Sequence, residues 1–233
     1  MVKALRLLVA VTLLLLGGAV AAQQTNVLTF EGLADQESVL NFYNGGAGGA
    51  GSGPGPNYGI TFGSNALAII ESNLGGSGNF VNEPSPKTIL FFLTGTAVMN
   101  VPAGFTTGFS FYYTSSLAAT VRVYDGVNAT GNVLATINLT ANTPVNNCNV
   151  TTGHTFCNWS PIGATFSGTA KSIDFGGTVN QVGYDNITVG SGTPIIIPTA
   201  SASVVPTLGL PALALLGALA GLIGVVVLRR RSV

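Results

Sequence analysis

Residue types that carry catalysis are scarce in this chain, and none stands in a recognisable catalytic arrangement. The 233 residues contain a single histidine, His154, and neither a Gly-x-Ser-x-Gly nor a His-Glu-x-x-His motif. Glycoside hydrolysis needs only two carboxylates, so the eight acidic residues leave that chemistry open. No pair of acids is singled out by its context. We therefore predict a protein without enzyme activity, with a polysaccharide hydrolase as the least favoured alternative.

The two cysteines, Cys148 and Cys157, lie nine positions apart in a turn-like stretch rich in Thr and Asn. In an exported domain such a pair forms a disulfide that persists. Closing a loop of this size stabilises the fold by about 2–3 kcal/mol in the chain-entropy treatment. The alternative is a metal site that includes His154, but two Cys and one His leave zinc short of a fourth ligand. We predict the disulfide.

Aromatic side chains are the means by which the domain could bind a glycan. The candidates are Trp159, Tyr43, Tyr58 and Tyr112. Such rings combine a large apolar face with a polar group. The alternative for each is burial, because most aromatic side chains of a β-sandwich lie in its core.

The elements that would position these residues are short strands separated by turns. Runs at Val27–Phe30, Tyr58–Phe62 and Thr88–Leu93 are β-branched and aromatic between Gly, Pro and Asn. Alternating apolar residues follow, and no helical period occurs outside the chain ends. The alternating positions are Phe109, Phe111 and Tyr113; Val121 and Val123; Val133, Ala135, Ile137 and Leu139; and Ile173 and Phe175. This pattern predicts an all-β, jelly-roll-like antiparallel β-sandwich.

The strand predicted over Gln181–Val189 changes phase. Val182 and Tyr184 share one face, whereas Ile187 and Val189 have the other parity. Because a one-residue slip moves every side chain to the opposite face, we predict a bulge at Asp185-Asn186.

A glycine-rich segment between Asn44 and Asn57 is the other conspicuous feature of the domain. A phosphate-binding loop would end in Gly-Lys-Ser/Thr and lead into a helix, and neither is present. We expect a flexible surface loop.

Two acidic residues stand in motifs that resemble known extracellular modules. Phe30-Glu31-Gly32 ends the first strand, and Gly183-Tyr184-Asp185-Asn186-Ile187 lies in the last. This arrangement resembles jelly-roll carbohydrate-binding modules. The resemblance implies that Glu31 and Asp185 share a structural Ca²⁺, an ion that prefers carboxylates and carbonyls. The alternative is that both are strand-end residues whose carboxylates accept turn hydrogen bonds.

Charge in the predicted domain is sparse and acidic. Between Gln23 and Ser203 the bases are Lys87, Arg122 and Lys171, which against eight acids give a net charge of −5. Nucleic-acid binding needs clustered Lys and Arg, so we expect no nucleic-acid partner.

The N-terminus has the layout of a secretory signal peptide over residues 1–22. Lys3 and Arg6 precede an apolar run, and small residues at Ala19-Val20-Ala21 supply a cleavage site. The alternative is an uncleaved helix. The C-terminus carries a 21-residue uncharged run, Leu208–Leu228, followed by Arg229, Arg230 and Arg231. Its length matches a bilayer core of about 30 Å, and the arginines mark the cytoplasmic side.

The segment before this predicted transmembrane helix adds a sorting motif, Val205-Pro206-Thr207-Leu208. Motif, helix and arginine tail together resemble the C-terminal signals of bacterial PEP-CTERM and IPTL-CTERM proteins. The Trp-Gly that commonly follows the IPTL motif is missing, and Val replaces Ile. A GPI signal is the alternative, but GPI tails end in apolar residues. The resemblance implies an exosortase-type protease as a partner.

These observations predict a signal peptide (1–22), a β-sandwich ectodomain (23–190), a linker with sorting motif (191–207), a membrane helix (208–228) and a cytoplasmic tail (229–233). We expect an exported, membrane-anchored surface or matrix protein. The alternative function is a carbohydrate-binding adhesion module, for which polysaccharide would be the partner.

Overall fold

The computed structural model describes residues 25–143 and 153–197. Eleven strands lie in these ranges, and the helical content there is one 3₁₀ turn, Ser72–Leu74. The strands are β1 Asn26–Leu28, β2 Thr61–Phe62, β3 Leu67–Ile70, β4 Thr88–Phe91, β5 Ala97–Phe105, β6 Gly108–Ser115, β7 Ala119–Tyr124, β8 Val133–Leu139, β9 Ser160–Thr165, β10 Ala170–Phe175 and β11 Val182–Val189.

The strands form two antiparallel sheets. The larger sheet has the order β3-β4-β11-β6-β9, with β1 also paired to β11, and the smaller has the order β2-β5-β10-β7-β8. From β4 to β7 the chain changes sheet at each step, which is the connectivity expected of a jelly roll. The all-β class with two antiparallel sheets is confirmed. The jelly-roll assignment itself stays a prediction.

The main core lies between the two sheets and is rich in aromatic side chains. Phe175 of the smaller sheet contacts Phe109, Phe111 and Tyr184 of the larger sheet, with ring centroids 5.8, 6.1 and 4.9 Å apart. All four rings are fully buried. Burying large rings supplies most of the free energy that joins two sheets in such a sandwich.

The alternation read from the sequence matches the inward faces of several strands. Phe109, Phe111 and Tyr113 on β6, Val121 and Val123 on β7, and Ile173 and Phe175 on β10 are all buried in this core. On β8, Ile137 and Leu139 are buried and Ala135 packs against the core, whereas Val133 is 49% exposed. The alternation ends at Val133 because the register of β8 on β7 shifts between the Val123–Ala135 and Tyr124–Val133 pairs.

The predicted irregularity in the last strand is confirmed. The register of β11 on β6 shifts between Asp185 and Thr188, and Asn186 has a φ of 46°. This left-handed backbone conformation is uncommon for non-glycine residues and suits a bulge. Tyr184 and Ile187 consequently both lie in the core despite their odd spacing.

The predicted signal peptide, sorting motif, membrane helix and arginine tail lie outside the described residues. Within the two described ranges, no helix has the length and apolar character to cross a bilayer.

Candidate functional site

The larger sheet has a second apolar cluster on the face turned away from the main core. Ile69 of β3 and Ile89 and Phe91 of β4 point to this outer face, because their neighbours Ala68 and Leu90 point to the core. Phe80, Phe156 and Trp159 pack against them from two segments that cross the sheet. Apolar side chains on an outer face are stable when other residues shield them from water, and here a cavity leaves part of the cluster accessible.

The two covering segments, residues 79–82 and 155–159, are joined by hydrogen bonds. The backbone N–H of Val81 donates to the Phe156 carbonyl at 3.0 Å, and Trp159 Nε1 donates to the Val81 carbonyl at 3.0 Å. Asn79 Nδ2 donates to Thr155 Oγ1 at 2.8 Å, and the Thr155 N–H donates to Asn79 Oδ1 at 3.0 Å. These contacts hold both segments together above the sheet.

A cavity of about 330 Å³ opens between these segments and the sheet. This volume lies at the lower end of the roughly 300–1,000 Å³ range of ligand pockets. Gly183 of β11 gives the cavity part of its depth, since a Cβ there would lie 2.6 Å from Ile89 Cδ1. We call this cavity the outer-face pocket.

The outer-face pocket combines apolar surface with uncharged hydrogen-bonding groups. No charged side chain is among its described lining residues, which are Ile69, Phe80, Ile89, Phe91, Phe156, Val182 and Gly183, together with Ser77, Asn79, Thr114, Thr155, Asn180 and Gln181. Amides and hydroxyls both donate and accept hydrogen bonds. The lining therefore suits a neutral ligand that has hydroxyl groups and an apolar face.

The aromatic residues singled out in the sequence have different positions. Trp159 packs edge-on against Phe80, a lining residue, with centroids 6.2 Å apart. Tyr58 lies at the surface and stacks on Tyr43. Tyr43 is 3% exposed and its hydroxyl accepts the Phe30 N–H at 2.6 Å, so the suggestion of Tyr43 as a glycan contact is wrong. Phe80 and Phe156 were not predicted from the sequence, since isolated aromatic residues in loops carry no periodic signal.

Glu31 and Asp185 are brought together by the pairing of the first strand with the last. Strands β1 and β11 are antiparallel, with Leu28 opposite Ile187. Segment 85–88 lies between the two carboxylates. Glu31 Oε1 accepts the backbone N–H groups of Lys87 and Thr88 at 3.0 and 2.8 Å. Asp185 accepts the N–H of Ser85 at 2.8 Å and that of Asn186 at 2.7 Å.

The environment of Asp185 opposes its charge. Its side chain is fully buried, and burial raises its pKa to about 7, an effect increased by the charge of Glu31 and reduced by the hydrogen bonds from Ser85 and Asn186. The described residues contain no group of three or more His, Cys, Asp and Glu arranged to hold a metal ion. Ca²⁺ takes six to eight oxygen ligands. The hydrogen bonds to Asp185 fit the alternative of strand-end carboxylates, and the calcium site stays a proposal.

Two further acids, Glu71 and Glu83, lie beside this region. Neither Glu83 carboxylate oxygen is exposed or accepts a hydrogen bond from another described residue. Burial raises the pKa of Glu83 to about 8, and the charges of Glu71 and Asp185 act in the same direction. Nothing in the sequence around Glu83 indicated burial, because the flanking Asn and Pro residues are typical of exposed turns.

The glycine-rich segment is at the surface, as predicted, but its backbone is held in place. Glu37 is 3% exposed, and its carboxylate accepts the N–H groups of Ala34 and Ala50 at 2.7 Å and of Ser52 at 3.1 Å. A Cβ on Gly48 would lie 2.5 Å from Glu37 Oε1, so the close approach requires glycine. The prediction of a flexible loop is not supported.

Only one cysteine of the predicted disulfide, Cys157, is among the described residues, because Cys148 lies outside them. Cys157 is buried, at 9% exposure, and its carbonyl accepts Asn82 Nδ2 at 3.4 Å. His154 lies with Nε2 3.2 Å from Ser72 Oγ. The disulfide stays a prediction.

No protein-family model matches the chain. No curated protein matches it either. Among solved structures, a family 6 carbohydrate-binding module from Clostridium stercorarium in complex with cellobiose is 16% identical, over 56% of this chain and 86% of that one, with a TM-score of 0.35. The K2 cleaved adhesin domain of Lys-gingipain is 11% identical over 71% and 97%, with a TM-score of 0.41.

A third similar structure is a glycoside hydrolase family 43 arabinoxylan arabinofuranohydrolase from Bacillus subtilis. It is 18% identical over 56% of this chain, with a TM-score of 0.36, and the present chain spans only 26% of its length. At such TM-scores these similarities carry no argument about function.

Proposed function

We propose that the described domain is a non-catalytic module that binds a neutral polysaccharide in the outer-face pocket. The observation that carries the proposal is the lining itself, in which three phenylalanines lie among Asn, Gln, Ser and Thr without a charged group. A pyranose ring offers C–H groups to aromatic faces and hydroxyls to amides. Binding sites of this type bury an apolar face and fix orientation with few polar groups.

Binding is favoured over catalysis by the same lining. General acid–base chemistry needs a titratable group within about 3 Å of the reacting atom. Among the described lining residues there is no Asp, Glu, His, Lys, Arg or Cys. The buried acids Asp185 and Glu83 lie outside that set, so they do not supply a carboxylate pair to a sugar in the pocket.

The predicted location agrees with this role and rests on sequence alone. A signal peptide and a C-terminal sorting helix would place the domain outside the cytoplasm, where polysaccharide is found. We infer that the protein is an exported, membrane-anchored surface or matrix component, and that an exosortase-type protease is its processing partner. The support for both is the layout of residues 1–22 and 205–231.

The test is a glycan array probed with the full-length chain and two variants. Phe156→Ala removes an aromatic wall of the pocket and should weaken the affinity for neutral glycans by about tenfold or more, since burying one Phe side chain contributes roughly 1.5–3 kcal/mol. Tyr124→Ala is the matched control, because Tyr124 is a half-buried aromatic of β7 in the other sheet. It should bind as the parent does.

Two results would contradict the proposal. One is the absence of any neutral-glycan signal with the folded parent protein. The other is equal loss of binding in Phe156→Ala and Tyr124→Ala, which would place the site elsewhere. Release of reducing sugar from a bound polysaccharide would instead favour the hydrolase.

A further inference from the structure

The polar groups that line the outer-face pocket differ in whether other protein groups already bond to them. On the two covering segments, the amide of Asn79 is engaged on both its nitrogen and its oxygen by Thr155, as described above. Ser77 Oγ accepts Gln36 Nε2 at 2.8 Å. A ligand that approached these three lining residues would therefore compete with hydrogen bonds that the fold already makes.

A second group of polar lining residues belongs to β6 and to the start of β11. Thr114 of β6 lies directly opposite Gly183 of β11 in the strand pairing, and both residues line the pocket. Asn180 and Gln181, which precede β11, line it as well. Because β6 and β11 are paired, these side chains belong to one continuous part of the lining. We call Thr114, Asn180 and Gln181 the β6–β11 wall.

Thr114 is buried in this wall without a hydrogen-bond partner. Its side chain points to the outer face, because the adjacent Tyr113 points into the main core. The residue is 1% exposed, and its Oγ1 has no partner among the described residues. A buried hydroxyl that is left unpaired destabilises a fold. A ligand hydroxyl that bonded to Thr114 would remove this penalty, which favours binding.

Contact with the shielded Thr114 Oγ1 requires a small side-chain rotation. Ile89 lies over the neighbouring Gly183, since a Cβ on that glycine would lie 2.6 Å from Ile89 Cδ1 and 3.4 Å from Thr114 Cγ2. Changes of side-chain rotamer are common on binding. A rotation of Ile89 or of Thr114 is therefore sufficient to bring the hydroxyl to a ligand.

The two amides of the β6–β11 wall also have hydrogen-bonding capacity to spare. Ser116 Oγ donates to Gln181 Oε1 at 2.5 Å, which orients the Gln181 amide and leaves its Nε2 to donate elsewhere. The side chain of Asn180 is exposed and makes no hydrogen bond to another described residue. Together with Thr114, these groups supply both donors and acceptors. Sugar hydroxyls need both, because each hydroxyl donates one hydrogen bond and accepts others.

We propose that Thr114, Asn180 and Gln181 recognise the hydroxyls along one edge of a bound sugar, while the pocket's phenylalanines contact its C–H face. This inference rests on the proposed function and specifies how the ligand is oriented and selected. The ligand that fits is a neutral sugar with free hydroxyls on the edge that meets the β6–β11 wall. A uronate fits poorly, because no basic side chain is among the described lining residues.

The first test removes the hydroxyl of Thr114 and keeps the shape of its side chain. Full-length Thr114→Val is titrated calorimetrically with cellohexaose, maltohexaose and mannohexaose. We expect an affinity about three- to tenfold weaker for the sugar that the parent binds, which corresponds to one neutral hydrogen bond. The melting temperature should not fall, because Val leaves no unpaired hydroxyl in the fold. A purely structural Thr114 would instead leave the affinity as it is in the parent.

Thr88→Val is the matched control for this substitution. Thr88 is also fully buried with an unpaired Oγ1, but it is not among the described lining residues. This variant should bind as the parent does. Equal losses of affinity in Thr114→Val and Thr88→Val would mean that removal of any buried hydroxyl disturbs the sheet, and would overturn the role of Thr114.

The second test removes the amide of Asn180 and preserves the backbone. Asn180 has a φ of 58°, a left-handed conformation that glycine adopts without strain. Asn180→Gly should therefore keep the turn and weaken the affinity by about threefold or more. Asn128→Gly is the matched control, because Asn128 has a φ of 55° in the loop between β7 and β8 of the smaller sheet. Its affinity should equal that of the parent.

Failure of this inference and failure of the proposed function give different results. If the parent binds one of the three sugars and either Thr114→Val or Asn180→Gly binds it as tightly, the pocket holds a glycan that the β6–β11 wall does not recognise. The inference then fails alone. If the folded parent binds no neutral sugar in these titrations or on the glycan array, the proposed function fails and the inference fails with it.

Discussion

Three buried carboxylates, those of Glu37, Asp185 and Glu83, differ in whether the fold lowers or raises their pKa. Glu37 accepts several backbone N–H groups, and although burial alone would raise its pKa, those hydrogen bonds lower it overall. Asp185 also accepts hydrogen bonds, but its complete burial outweighs them. Neither carboxylate oxygen of Glu83 has a hydrogen-bond partner among the described residues, and burial raises its pKa to about 8. The balance between burial and the donors aimed at each carboxylate therefore decides whether its pKa is lowered or raised.

Removal of calcium tests the remaining proposal for Glu31 and Asp185. If an ion bridges them, the full-length chain should melt lower in EDTA than in excess Ca²⁺. A ligand at a hundred times its dissociation constant stabilises by about 2.7 kcal/mol. For a domain of this size that corresponds to a shift of about 5–10 °C, at roughly 2–4 °C per kcal/mol.

Asp185→Asn should lose this difference in melting temperature, and Asp174→Asn should keep it. Equal melting temperatures of the parent in EDTA and in Ca²⁺ would assign Glu31 and Asp185 to hydrogen bonding alone. That both acids lie close together was predictable from the sequence, because their motifs mark the first and last strands. The burial of the unpaired Glu83 carboxylate was not, because the Asn and Pro residues that flank it are typical of exposed turns.

Among the elements, the glycine-rich segment 44–57 is organised around one acid. Glu37→Gln should destabilise the protein by about 1–2 kcal/mol near neutral pH, because hydrogen bonds to a charged acceptor are worth more than those to an amide. The destabilisation caused by Glu37→Gln should be smaller at acidic pH. Since the pKa of Glu37 is lowered on folding, its stabilisation is present above the ordinary value of 4.5 and is lost as the pH falls.

Denaturant unfolding at neutral and acidic pH measures this difference. The control is Asp125→Asn, because Asp125 accepts comparable hydrogen bonds from Asn132 near the surface and should cost less. An equal loss of unfolding free energy in the two variants would mean that the burial of Glu37 adds nothing to the strength of its hydrogen bonds.

Strands were predicted correctly where apolar and polar residues alternate, because that alternation indicates a strand with one buried face. Strands β6, β7 and β10 alternate cleanly, and the phase change at Asp185-Asn186 located the bulge. Strand β3 was missed, because its run Leu67–Ile70 is apolar on both faces. Strand β5 was missed because Pro102 and Gly104 interrupt it, and β9 because Pro161 and Gly163 do so. Such residues are tolerated in strands by tertiary pairing, which local sequence does not record.

For the whole molecule, the testable expectation is its orientation at the membrane. The apolar run Leu208–Leu228 with Arg229 to Arg231 predicts that the domain is outside the cytoplasm and the C-terminus inside. Protease added to the outside of cells, or to the periplasm, should degrade the domain and spare a C-terminal tag. Protection of the domain, or loss of the tag, would reject this orientation.

The pairing of β11 also has a mechanical consequence. The strand lies inside its sheet, with β6 on one side and β4 and β1 on the other. The segment after Gly190 leads towards the predicted anchor, so tension between an anchored tail and a captured polymer would pull along this strand. Hydrogen bonds of an antiparallel pair run perpendicular to the strands. Such a load would shear the bonds of both flanks together instead of unzipping them singly, so we expect a tethered module to unfold at a higher force than one pulled across its strands.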